Sequence, residues 1–147
     1  MPPDFKVAFF GDNGLESIEK ESGHVLALIA RQKAHMVIHS GDLDYHDNPR
    51  AFDQMITKHL GASYPYFFSP GNHDNKQYYV PQGYQEILMR RVRATGANCT
   101  GEAGIHTWCT YRGFSFLLSG FHLFGYPHDW HEFYIEQHLE KAKEHGA

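Results

Sequence analysis

Three glycine-led polar segments could do chemistry together: Gly11-Asp12-Asn13-Gly14, Gly41-Asp42-Leu43-Asp44-Tyr45 and Gly71-Asn72-His73-Asp74. Carboxylate, carboxamide and imidazole groups are the hard and borderline donors that suit Fe, Mn and Zn. A carboxylate that bridges two such ions holds them about 3.5–4 Å apart, a spacing that favours phosphoryl hydrolysis. The glycines permit tight turns and let backbone come close to a bound anion. One Gly-Asp pair at a strand end is ordinarily a turn, and Asn72-His73-Asp74 alone can be a turn or a helix cap. Recurrence after successive strands is what points to a shared site.

The surrounding elements must bring these segments together. Phe5 to Phe10 is a short apolar run ending at Gly11 and reads as a buried strand. Ser22 to Lys33 reads as a helix, with Val25, Leu26, Leu28 and Ile29 as its apolar residues and Ser22 as its cap. Met36 to His39 is a second strand. Asn48-Pro49 opens a helix whose Phe52, Met55, Ile56, His59 and Leu60 share a face, and Gly61 stops it. Tyr64 to Phe68 is a third strand. This alternation implies βαβ units and a mainly parallel sheet. The ends of parallel strands open on one crevice, where Asp12, Asp42, Asn72 and His73 would meet. Beyond them, Gln82 to Ala94 reads as a helix with Ile87, Leu88 and Val92 inward. His106 to Arg112 and Phe114 to Ser119 read as strands joined at Gly113. His131 to His145 reads as a final helix, apolar at Phe133, Tyr134, Ile135, Leu139 and Ala142.

Together the three segments resemble the calcineurin-like metallophosphoesterases, and within them the purple acid phosphatase branch. That branch carries Gly-Asp-x-Gly, Gly-Asp-x-x-Tyr and Gly-Asn-His-Asp/Glu. Other branches usually begin Asp-x-His, where this chain has Asp12-Asn13-Gly14. The resemblance covers roughly the whole chain and is least specific at Phe116-Leu117-Leu118-Ser119-Gly120. It implies an α/β fold: the N-terminal part of a β-sandwich flanked by helices, with a βαβαβ start and a mixed sheet. It implies that Asp12 holds a first metal, Asp42 bridges two metals, Tyr45 binds a ferric ion through its phenolate and Asn72 binds the second metal. By the same resemblance His73 contacts the substrate phosphate and protonates the leaving alcohol, and Asp74 orients His73. Read from the residues alone, the lesser alternatives are that His73 braces its loop and that Tyr45 is a core or turn tyrosine. The cofactors implied are two metal ions, Fe with Zn, Mn or Fe. The partner implied is a phosphate-ester substrate attacked by water that the dinuclear centre activates. The alternative is a catalytically inactive module that binds metal or phosphate.

The resemblance also implies later histidine ligands, one from a Val-x-x-His-like or Trp-His-like block and two from Gly-His-x-His. Neither block occurs among the 147 residues, so the expectation is a single, C-terminally incomplete domain over residues 1–147. Twelve histidines are present, several of them late: His122, His128, His131, His138 and His145. Spacings of seven place His131, His138 and His145 on one helix face, where solvated or packed roles outweigh a replacement ligand. Cys99 and Cys109 are the only cysteines, spaced for a local disulfide or left as two thiols. A disulfide and the largely exported character of the resembling group would favour an extracellular or periplasmic location, although no leader-like segment precedes Phe5. Asn98-Cys99-Thr100 is a weak glycosylation match. With a net charge of −4 and no Lys/Arg run, no nucleic-acid-binding signal is present. No apolar stretch is long enough to span a bilayer. Neither a Gly-x-Ser-x-Gly elbow nor a phosphate-binding P-loop motif occurs.

Overall fold

Short β-branched and aromatic runs give the strands, and the Gly, Pro and Asn punctuation between them sets the turns. A computed structural model describes residues 2–13, 18–121 and 123–144; Gly14, His122 and His145 lie outside the described residues. Parallel strands β1 (Val7–Phe10), β2 (Met36–Ser40) and β3 (Tyr66–Ser69) form one sheet in that order. Helix α1 (Gly23–Arg31), entered through a π-helical turn at Ile18–Ser22, links the first two strands, and α2 (Pro49–Leu60) links the second pair. The expected βαβαβ start is therefore present. A 3₁₀ turn at Asn72–Asp74 and a short α3 (Asn75–Tyr78) lead into α4 (Tyr84–Thr95). A second, antiparallel sheet contains β4 (Asn98–Glu102), β5 (His106–Tyr111) and β6 (Phe114–Ser119), and α5 (His128–Glu144) follows. The mixture of strand directions is thus divided between two sheets.

The sheets pack face to face through aromatic rings. Phe67 of β3 lies 4.8 Å from Phe116 and 6.0 Å from Tyr111 between ring centroids. Alternate residues of the same strand, Tyr66 and Phe68, point the other way, to Phe52 of α2 at 6.0 and 5.6 Å. The two-residue period of a strand therefore feeds both the inter-sheet layer and the helix layer. Helix α2 forms where its sequence says it should: Asn48 Oδ1 accepts from Ala51 N at 3.1 Å, Pro49 stands at the first turn, and Gly61 ends the helix.

Three expectations need correction. Ser22 does not cap α1; its backbone is already helical and its hydroxyl donates to the Asn13 carbonyl at 3.1 Å. Leu26 and Ile29 of α1 are buried, but Val25 and Leu28 are exposed. The final helix is rotated from its apolar reading. His131 is fully buried against Ser119 and His106, and His138 packs over Trp108, while Phe133 and Leu139 face outward. Neighbouring aromatic and histidine side chains on the sheet outweigh the aliphatic pattern on the helix.

β4 has no apolar alternation and is held by its partner. Cys99 and Cys109 are opposite one another in the β4–β5 register and form a disulfide. The separation of ten residues makes a small loop, so joining its ends stabilises the fold by about 3 kcal/mol. Urea unfolding of the Cys99→Ser/Cys109→Ser variant should show a loss of that size; a variant as stable as the wild type would contradict it.

Candidate metal and substrate site

All three glycine-led segments emerge from the C-terminal ends of β1, β2 and β3, and hydrogen bonds stitch them together. Asp12 N donates to Gly41 O at 3.2 Å and Asn13 N to Asp42 O at 2.9 Å. The buried Asn13 side chain adds a bond from Nδ2 to Leu43 O at 2.9 Å. A Cβ on Gly71 would run into the Asp42 carboxylate and backbone nitrogen, so the second and third segments approach closely only with glycine there. Asp12 and Asp42 both hold left-handed backbone conformations, each with φ 51°.

The side chains converge as well. Asp12, Asp42 and Asn72 line one open depression of about 500 Å³, together with Ser119 at the end of β6 and Phe121 and Leu123 just after it. The Tyr45 hydroxyl lies 3.2 Å from Asp12 Oδ1 and 3.0 Å from Asp42 Oδ2, between the two carboxylates. Partial burial, then the Asp42 and Asp12 carboxylates, push the Tyr45 phenol up to about 12. His73 is exposed at the rim. Its backbone N donates to Asp42 Oδ1 at 3.2 Å, and its ring packs on Tyr45 with centroids 4.4 Å apart.

Asp74 does not stand behind the His73 ring. Its fully buried carboxylate instead accepts from Gly71 N at 2.6 Å and Leu43 N at 3.0 Å, joining the third segment to the second. Unpaired amides in a buried turn are costly, and here they outcompete the imidazole. Burial pushes Asp74 up to about 6 against the pull of those amides.

Sequence reasoning missed two sets of residues. Ser119 and Phe121 reach the depression from the end of β6, where Ser119-Gly120 repeats the Ser40-Gly41 pattern at the end of β2; that repetition was the available signal. Asp44 is the other miss, a buried acid between Asp42 and Tyr45.

The donor set fits a cation in kind: two carboxylates with a phenol between them and a carboxamide in the same depression. Among the described residues, no three His, Cys, Asp or Glu side chains are grouped with metal-site geometry. No helix of the described residues is long and apolar enough to cross a membrane.

His39 lies below this rim on β2. It is fully buried, stacked on Phe10 at 4.3 Å, with Nδ1 2.9 Å from the Tyr66 hydroxyl. Burial lowers its pKa from 6.5 to about 3. The unfolded chain takes up this proton first. Stability that is fully present above pH 6.5 is therefore lost as pH falls toward 3, at up to about 1.4 kcal/mol per pH unit. Urea unfolding between pH 7 and 5 should show His39→Gln with a slope smaller by that amount; equal slopes would refute the assignment.

A family model described as calcineurin-like phosphoesterase matches residues 5–145. Among solved structures, the chain is similar to purple acid phosphatase PPD1 from yellow lupin (Lupinus luteus) seeds. The identity is 20% and the TM-score 0.48, over 92% of this chain and 27% of that one. The chain thus spans about a quarter of the length of that structure. No curated protein matches it.

Proposed function

The chain belongs to the calcineurin-like phosphoesterase family, and from that premise we propose that it serves metal-dependent hydrolysis of a phosphate ester at the rim of β1, β2 and β3. The observation that carries the reading is the placement of the Tyr45 hydroxyl between Asp12 and Asp42, with Asn72 in the same depression. Asp12, Asp42, Tyr45 and Asn72 would hold two metal ions, with Asp42 shared. Iron paired with Zn, Mn or a second iron suits a set that includes a phenol. When bound, such a pair supplies Lewis-acid polarisation of the phosphate and acidifies water. A cation there would also favour the phenolate of Tyr45, which the bare carboxylates oppose.

His73 is the group placed to meet a phosphate arriving from solvent, since its ring stands at the rim and its backbone is tied to Asp42. Its ring proton would pass to the oxygen of the leaving alcohol. Asp74 supports that step indirectly, by fixing the Gly71 and Leu43 amides on which the segment turns. The Cys99–Cys109 disulfide favours an extracellular or periplasmic setting.

A second reading, a catalytically inactive module that binds metal or a phosphate group, is favoured by the donor set, in which, among the described residues, the carboxylates are joined by a phenol and a carboxamide alone. Metal titration of the chain and hydrolysis of an aryl phosphate separate the two. Turnover that depends on added metal and stops with chelator supports the enzyme. Binding without turnover supports the inactive module, and the absence of both overturns the metal-site reading.

A further inference from the structure

Asp44 lies between Asp42 and Tyr45 in the chain but points away from the depression and is fully buried. Its carboxylate accepts from His46 N at 2.6 Å, from Asn48 N at 3.2 Å and from the Tyr84 hydroxyl at 2.5 Å. Tyr84 is the first residue of α4, forty positions later, and is itself fully buried with its ring 5.7 Å from Phe52. One carboxylate thus satisfies the amides of the segment carrying Asp42 and Tyr45 and anchors that segment to a rigid helix. We propose that Asp44 and Tyr84 form a positioning pair that sets the Tyr45 phenol against Asp12 and Asp42.

The geometry explains why this arrangement needs an anchor. Asp42 and Asp47 both hold left-handed backbone, with φ 51° and 52°, so the segment between them is tightly coiled and cannot rely on regular hydrogen bonding. The Tyr45 ring packs on His73 and its hydroxyl meets Asp12 and Asp42, so its aim depends on where the backbone beneath it is held. A charge-assisted bond from a buried phenol is short and directional. Burial, then the Asp44 carboxylate, push the Tyr84 phenol well above the usual tyrosine range, so its proton stays available to Asp44. The inference rests on the reading of Tyr45 as a metal donor for its consequence, but the positioning itself is a property of the metal-free chain.

Tyr84→Phe removes one oxygen and keeps the ring against Phe52. Two readouts are informative. In the metal-free chain with ring-labelled tyrosine and histidine, the Tyr45–His73 ring-proton NOE should lose most of its intensity. In calorimetric titration with Zn²⁺, the dissociation constant should rise about tenfold, the scale on which partners behind a ligand act. Asp44→Asn, which keeps the side-chain shape, should move both readouts the same way. Tyr64→Phe is the control: it removes a hydroxyl that donates to Ala34 O at 2.7 Å, at the opposite end of β3, and should move neither. A Tyr84→Phe chain with unchanged NOE and unchanged Zn²⁺ affinity overturns the proposal. A wild type that binds no Zn²⁺ overturns the metal reading instead, and the NOE then decides the positioning alone.

Discussion

Replacing Asp42 by alanine is expected to lower metal-dependent phosphoester hydrolysis by roughly three orders of magnitude, the scale of several kcal/mol of lost charge stabilisation. Asp42 ties two parts of the candidate site together: Oδ2 meets the Tyr45 hydroxyl at 3.0 Å and Oδ1 accepts from His73 N at 3.2 Å. Its loss would remove a proposed ligand, free the phenol and loosen the segment that carries His73. Asp42→Asn divides these effects, because the amide keeps an acceptor for His73 N, tolerates the same backbone and removes the charge. The asparagine variant should retain the fold and bind metal far more weakly. Turnover and metal content, measured with circular dichroism as a check on folding, decide it; activity unchanged in Asp42→Ala would end the bridging assignment.

The largest stability effect is expected away from the site, at Asp53→Ala, with a loss of about 4 kcal/mol. Arg91 on α4 is 1% exposed. Its Nε donates to Asp53 Oδ1 at 2.9 Å, and its Nη2 donates to Asp53 O at 3.0 Å and Thr57 Oγ1 at 2.9 Å. Burial lowers the Arg91 pKa, and Asp53 is the counter-charge that opposes the shift. Alanine would leave a guanidinium inside the fold with no anion, which costs far more than the lost bond itself. For a chain of this size the change corresponds to a fall in Tm of roughly 10 °C. The double variant Asp53→Leu/Arg91→Met should recover most of it, because packed apolar groups carry no desolvation cost. Thermal unfolding of both variants is the measurement; a loss below about 1 kcal/mol for Asp53→Ala would show that Arg91 keeps access to water.

What was readable in the chain follows the range of each interaction. Helix α2 was readable because Asn48, Pro49 and Gly61 act within one turn of its ends. The convergence of Asp12, Asp42 and Asn72 was readable because parallel strands deliver their ends to one edge and each end was marked by glycine. β4 was not, since Asn98 to Glu102 has no apolar period and is a strand only by pairing with β5. The destination of Asp74 was misread, because its partner Leu43 N lies thirty-one residues away and nothing in Asn-His-Asp reveals which amide will be buried. The link from Asp44 to Tyr84 was hidden for the same reason, and the face of α5 because His and Tyr serve equally inside or outside a fold.

The backbone at Asp12 and Asp42 has a consequence for how this protein changes over generations. A side chain in that conformation costs on the order of 1 kcal/mol that glycine would not incur. Selection for durability alone would favour glycine at both positions and would keep the scaffold intact. On the proposed reading, the chemistry of each acidic residue is what offsets that cost. If the two carboxylates hold metal as proposed, one substitution at either position would remove that chemistry while relieving the strained backbone.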